Sequence, residues 1–429
     1  MDRAALPDDR TMNRRCHIVG AGLAGLAAAV TLVREGFSVA LYEAAGQAGG
    51  RCRSFHDRTL ECQIDNGNHL VMLGNTATFA YLDAIGSRDG LVSTGAAFPF
   101  LDLATGERWT VRPNRGRLPW WFLAPSRRVA GTRPLDYLAA LRLAFAGPEA
   151  TVESVLANPP TVYRRLWEPL ATSALNTDPG EGAASLLWPV LTQTFLRGAD
   201  FCRPFVADVG LGPTFVEPAL ALLAQSGVEV QLNWRLRALE GEGDWVTRLD
   251  TSQGSVAIAK GEGVVLAVPP ASAVSLLAGL SAPTESRAIV NVHFRLDTPP
   301  RLPEDARFLG LVGGTAQWIF VRNDVVAITV SAADTLAARD NAAIAAAVWQ
   351  DLAQALALPS ESMPPHRVIN ERRATFAQTP AAARARPGPK TAFANLWLAG
   401  DWTDTGLPAT IESAIRSGQA AARLAATSP

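Results

Sequence analysis

The stretch CHIVGAGLAGLAAAVTLVREGFSVALYEA, Cys16 to Ala44, constrains the fold of this chain more than any other. An apolar strand runs into a turn whose glycines, Gly20, Gly22 and Gly25, have the spacing G-x-G-x-x-G. Gly20 permits the tight turn, Gly22 lets the backbone approach a pyrophosphate, and Gly25 lets the next helix pack close to the strand. The pattern predicts a helix over about 23–34, opened by Leu23 and Ala24. Its N-terminus offers free N–H groups and about half a positive charge to phosphate. A second strand, GFSVALYE, ends in Glu43, next to Ala44. A carboxylate there accepts bonds from ribose hydroxyls and repels a 2′-phosphate, which argues against NADP.

At 429 residues the chain is too long for one core, so two domains are expected. The net charge of −1 provides no basic field for nucleic acid. Cys16, Cys52, Cys62 and Cys202 have neither metal-ligand nor disulfide-framework spacing, which points to a reducing cytosol and no metal. Arginines followed by an apolar run imitate a signal peptide, but glycines at fixed spacing inside the run demand another explanation. The apolar stretch 264–280 is broken by Pro269 and Pro270, so no bilayer-spanning run is expected. Residues 1–11, ahead of Met12, read as a tail or an early start.

After Glu43 the chain enters a loop, AAGQAGGRCRS, where an NAD enzyme would continue into another βαβ unit. Gly49 and Gly50 let backbone lie against a ligand, and Arg51 can reach a phosphate or a flavin carbonyl. IDNGNHLVMLG follows, carrying Asp65, Asn66, Gly67, Asn68 and His69. At the far end, NLWLAGDWTDTGLPATIESAIRSGQAAARL reads as a strand over 396–399, Gly400-Asp401, a loop, and a helix from about Thr410.

The glycine fingerprint, GGRCRS and the distant Gly-Asp together resemble the flavin-dependent amine oxidase and phytoene desaturase superfamily. The resemblance implies FAD. It places Gly400 and Asp401 at the pyrophosphate and ribityl region, and Ala409, Thr410 and Ile411 at the flavin pyrimidine end. A helix N-terminus there stabilises the negative charge of reduced flavin. It also implies that GVEVQLNWRLRALE closes over adenine through the backbone of Leu236. GEGVVLAVPP, with Ala267, returns to the FAD sheet. The implied fold class is α/β: a two-dinucleotide-binding-type, Rossmann-like FAD domain (12–75, 205–276 and 391–427) with an inserted α+β substrate domain (76–204 and 277–390). Within the insertions, FLDLATGERWTV reads as a hairpin and AIVNVHFRL as a strand. AQWIFVRNDVVAITV is a second hairpin turning at Arg322-Asn323-Asp324, and a helix follows over about 335–357.

YRRLWEPLATSALNTDPGEGAASLL (163–187), with DNGNHL, resembles the hydroxysqualene dehydroxylases of squalene and hopanoid synthesis. Asn68 stands where glutamine is more usual. The implied reaction reduces hydroxysqualene to squalene: the allylic hydroxyl leaves as water, and reduced flavin delivers hydride from N5. Such chemistry needs a dry apolar tunnel for a long isoprenoid, a proton, and aromatic faces that tolerate positive charge. Trp167, Trp188, Phe195 and Trp318 are candidates for those faces. His69 and a buried Asp404 of raised pKa are candidate proton donors; Asn176 either orients the hydroxyl or caps a helix.

Three other readings compete. One is oxidative desaturation of a phytoene-like polyene. Another is amine oxidation, disfavoured because the only lysines, Lys260 and Lys390, are poorly placed for it. The third is a flavin-free prenyl-lipid carrier, disfavoured by the intact glycines, Glu43 and Gly400-Asp401. GRLPWWFLAPSRRVAG (116–131) sets Trp120, Trp121, Phe122 and Leu123 among Arg115, Arg117, Arg127 and Arg128. It reads equally as a bilayer contact, which would put a cytoplasmic protein at the inner membrane face, or as domain packing. Neither the electron donor nor the oligomeric state is legible.

Overall fold

The computed structural model describes residues 14–116 and 118–428; the expectations for residues 1–11, Met12 and Arg117 lie outside the described residues. Its first layer is a five-stranded parallel sheet. In spatial order the strands are Val230–Gln231, Ser38–Tyr42, Arg15–Val19, Gly263–Leu266 and Leu396–Leu398. The inner strands are largely apolar because helices cover one face and a three-stranded sheet over residues 236–257 packs on the other. The helix Leu23–Arg34 lies on it beside the last helix, Ile411–Thr427. A Cβ on Gly418 would stand 2.0 Å from the Ala24 carbonyl oxygen, so this close crossing needs glycine. Two segments remote in sequence thus share one sheet and one helix pair.

The helix Thr76–Ile85 packs Phe79, Tyr81, Leu82 and Ile85 into the same core. This first body therefore extends past residue 75, the boundary expected from the sequence. The cause is Glu412 of the last helix. Its buried carboxylate accepts from the N–H groups of Ala77 (3.1 Å) and Thr78 (2.8 Å) and from the Thr78 hydroxyl (2.7 Å). One acid thereby satisfies the orphan donors at the N-terminus of a neighbouring helix.

The second layer is a seven-stranded sheet built from both insertions. Its order is His366–Phe376, Ser286–Arg295, Val325–Val330, Trp318–Arg322, Phe308–Val312, Phe98–Asp102 and Arg108–Val111. Every neighbouring pair is antiparallel except Phe308–Val312 with Phe98–Asp102. Strand alternation divides the sheet into two faces. Val290, Val292, Phe294, Val326, Ile328 and Val330 pack under the helix Asn341–Leu356. Asn291, His293, Ala327, Thr329, Phe320 and Trp318 point the opposite way. Both expected hairpins form, and Asn323 takes the left-handed turn position at φ 56°. The helix expected over 335–357 is instead two, Asp334–Ala337 and Asn341–Leu356. They are separated because Asp340 accepts from the Ala343 N–H and starts a new helix. Among the described residues no helix is long and apolar enough to cross a membrane.

Candidate active site

The two glycine loops meet. Gly20 has φ +105° and donates to the Tyr42 carbonyl at 2.7 Å; a Cβ there would stand 2.3 Å from the Ala267 carbonyl oxygen. On Gly25 a Cβ would reach 1.8 Å from the Gly20 oxygen. Gly49 donates to the Ala21 carbonyl at 2.8 Å and pairs with Gly22, while Gly50, at φ +58°, passes over Gly22. Gly22 caps the first helix with no side chain. The opening N–H groups at Leu23 and Ala24 are therefore left for a ligand. Nothing would lie nearer than 3.9 Å to a Cβ on Gly22, so space is open in front of them.

Glu43 accepts from the Ala21 and Ala45 N–H groups, both at 2.8 Å, which anchors the loop around Ala44. Its remaining lone pairs can still take ribose hydroxyls. The chain at 231–234 runs alongside: Glu43 donates to the Gln231 carbonyl (2.9 Å) and Trp234 to the Glu43 carbonyl (2.8 Å). Leu236 follows at the start of the antiparallel strand Leu236–Glu242.

The opposite wall comes from the C-terminal segment. Asp401 is buried and its Oδ1 takes Arg51 at 2.8 Å, across 350 positions of sequence. Asp401 is the chief cause raising the Arg51 pKa. Arg51 also donates to the Ala374 carbonyl, while 47% of its side chain stays accessible in the crevice. Gly400 is held by the Ser417 hydroxyl (3.0 Å) and Ala409 by Gln378 (2.8 Å). Thr410 caps the last helix through the Ser413 N–H, leaving Ile411 as its first residue. The loop 401–407 wraps a buried guanidinium, Arg386, which donates to the carbonyls of Leu407, Asp401 and Thr403. Sequence reasoning missed Arg386, because an arginine in a proline-rich loop carries no pattern.

The burial expected of Asp404 is corrected, and of the two readings of Asn176 the fold realises the helix cap. Asp404 is exposed rather than buried; its carboxylate accepts from the Gly406 N–H (3.1 Å) in an outward turn. Asn176 is buried and saturated, so it is a tie between segments and not a free substrate ligand. Its amide donates to the Arg287 carbonyl (3.3 Å) and Thr375 hydroxyl (3.0 Å), and its oxygen accepts from Ala332 (2.7 Å). It also ends the helix Glu168–Leu175 in the left-handed conformation.

His69 opens into the crevice. Its ring is accessible from the crevice, and partial desolvation lowers its pKa. Beside it Asn66 bonds the Arg51 carbonyl (3.4 Å), and Asn68 bonds Thr329 (3.1 Å) and Asn291 (3.4 Å); Gly67 lies against Asn291. A narrow cleft of about 40 Å³ lies between this loop and the seven-stranded sheet. Asn68, His69, His293, Phe320 and Ala327 line it.

Of the aromatic candidates, Trp167, Phe195 and Trp318 are buried in one cluster and Trp188 packs against it. Trp121 is a core residue too, edge-on to Tyr137 at 5.1 Å, which removes it from the proposed bilayer contact; Phe122 is partly covered beside it.

The cradle fits FAD: side-chain-free backbone where a pyrophosphate must approach, an uncapped helix N-terminus, an acid at the ribose position and a second helix N-terminus opposite. Fold and site together define an FAD-dependent oxidoreductase. Residues 23–426 match the family described as flavin containing amine oxidoreductase. The chain is 45% identical to a hydroxysqualene dehydroxylase of Sinorhizobium fredii, covering 96% of this chain and 99% of that one. It is 44% identical to another from Rhodopseudomonas palustris, covering 96% and 98%. The chain belongs to the flavin containing amine oxidoreductase family and, within it, to the hydroxysqualene dehydroxylases. Among solved structures, a putative protoporphyrinogen oxidase from Exiguobacterium sp. 255-15 shares the fold at TM-score 0.68, with 18% identity over 96% of this chain and 98% of that one.

Proposed function

We propose that this protein reduces hydroxysqualene to squalene with FAD. The likeness to hydroxysqualene dehydroxylases over nearly the whole chain carries the reading. The glycine cradle supports its cofactor. Reduced FAD, when bound, supplies the hydride, and an external reductant recharges it. The chain's own work is to hold a long isoprenoid, to exclude water from a developing allylic cation and to protonate the departing hydroxyl. The aromatic cluster around Phe98, Phe308, Phe320 and Trp318 supplies π faces beside the cleft. The test is anaerobic single turnover. Photoreduced yellow protein should convert hydroxysqualene to squalene and recover the oxidised flavin spectrum. Conversion of phytoene by the oxidised protein, with hydroxysqualene inert, would favour desaturation instead.

The substrate is a membrane lipid, and we propose a peripheral contact with an anionic bilayer. The surface involved is larger than the stretch 116–131. Leu118 (80% exposed), Trp120 and Leu123 continue into the tight helical stretch Pro134–Phe145, where Leu135 (75%), Leu138, Leu141 and Phe145 (88%) are bare. Three residues per turn sets Leu135, Leu138 and Leu141 in one row. Arg115, Arg127, Arg133 and Arg142 belong to the same segment, with Arg127 5.1 Å over the Trp120 ring. Leu135→Ser with Phe145→Ser should abolish sedimentation with phosphatidylglycerol vesicles while leaving the flavin spectrum intact. Undiminished sedimentation would remove the contact.

A further inference from the structure

The ring nitrogens of His293, a residue only 1% exposed, make no hydrogen bond of good geometry, although the Asp65 backbone lies near enough to act on the ring. Unpartnered imidazole in a core is costly and asks for an explanation. Its neighbours are satisfied among themselves. Thr329 donates to the Asn291 oxygen (2.8 Å), Asn291 donates to the Asn66 carbonyl (3.3 Å), and Asn68 donates to both Thr329 and Asn291. His293 stands outside that network and lines the cleft opposite His69.

Beyond Arg367 of the edge strand, which is paired to Asp57 at 3.1 Å, register places His293 second in a row that crosses the sheet. It pairs with Ala327, Ala327 with Phe320, and Phe320 with Phe308. The Phe320 and Phe308 rings are 6.5 Å apart, and Phe98 continues the row 6.0 Å from Phe308. All of these side chains point to one face. From His293 onward the row reads as one hydrogen-bonding group, one small residue that leaves room, then π faces. An allylic alcohol losing water needs this sequence of groups: a partner for the hydroxyl, space at the reacting carbon, and electron-rich rings beside the cation.

Resting on the reading above, we propose that His293 is the catalytic residue that receives the substrate's allylic hydroxyl and delivers its proton. The imidazolium N–H passes its proton to the hydroxyl oxygen. The carbon–oxygen bond breaks with its electron pair on oxygen, and water leaves. Reduced FAD, when bound, would supply the hydride that the allylic cation needs and would itself be oxidised. Neutral His293 recovers a proton from solvent through the cleft, whose other lining includes Arg307 and Arg322. Arg307 there faces Asp208 at 3.9 Å.

Burial is the main influence on the ring and lowers its pKa to about 4; Asp65 and Asp57 oppose this and Arg322 adds to it. At neutral pH the imidazolium is therefore scarce and strongly acidic. The single-turnover rate of the reduced wild type should rise close to tenfold per unit as pH falls from 8 to 6.

The experiment compares wild type, His293→Phe and His293→Gln, each checked for the FAD spectrum and melting temperature. His293→Phe should lose about 100-fold or more in single turnover. It should also bind hydroxysqualene no better than squalene when both are titrated into oxidised protein by tryptophan quenching. His293→Gln should keep part of the preference for hydroxysqualene and lose the pH dependence; it carries the test alone if the phenylalanine variant does not fold. Wild-type rate and pH profile in either variant, or an unchanged binding preference in His293→Phe, overturns the proposal. A wild type that cannot turn over hydroxysqualene sinks the proposed function instead, and the binding comparison then still decides what His293 holds.

Discussion

The nucleotide crevice and the cleft lined by His293 are built from different materials. The crevice is backbone: Gly20, Gly22, Gly25, Gly49 and Gly50 contribute by what they lack. The cleft is side chains on strands far apart in sequence, His293, Ala327, Phe320 and Phe308, aligned by sheet register. A site made of backbone tolerates almost no added atom. A site made of side chains tolerates exchange and loses chemistry before it loses structure.

The largest expected effect is in the crevice. Gly25→Ala sets a methyl 1.8 Å from the Gly20 carbonyl oxygen, and neither backbone can yield. We expect a colourless protein destabilised by more than about 4 kcal/mol, read by flavin absorbance and thermal unfolding. Normal FAD uptake would show that the crevice is not rigid and would break the contrast. Asn176→Ala removes three bonds between segments of the substrate body. It should cost about 1–3 kcal/mol in denaturant unfolding while FAD stays bound. Loss of FAD with little loss of stability would put Asn176 with the crevice.

Stability against pH sharpens the comparison further. Buried His293 has a folded-state pKa lowered from 6.5 to about 4, and that of the solvent-accessible His69 ring is lowered less strongly because water reaches it. The unfolded chain therefore takes up protons first, and their contribution to stability is lost as pH falls from about 6.5 towards 4. The melting temperature of the flavin-free protein should drop through that window, and less so in His293→Gln. Equal drops would mean that the ring is not held neutral by burial. Smallest is Asp404→Asn: an exposed carboxylate in an outward turn should change single turnover less than twofold. A drop of 10-fold or more would return Asp404 to the reacting centre.

Local pattern was enough for the crevice. The first helix falls where the glycines predict it, and Glu43 follows the second strand. The last strand and helix return beside them, because fingerprint residues act on backbone within a few positions of themselves. Legibility ended where partners are remote. Asp404 and a turn, Asn176 and its three segments, Arg386 and its carbonyls, and Trp121 in the core are decided by what the folded chain sets against them. His293 is the sharpest instance, an unremarkable histidine within AIVNVHFRL. Sequence by itself determined the kind of nucleotide cradle and the family of the chain, since strand period and glycine spacing are local properties. Only tertiary structure decided which buried imidazole is left without a partner, because that depends on six other strands arriving in register.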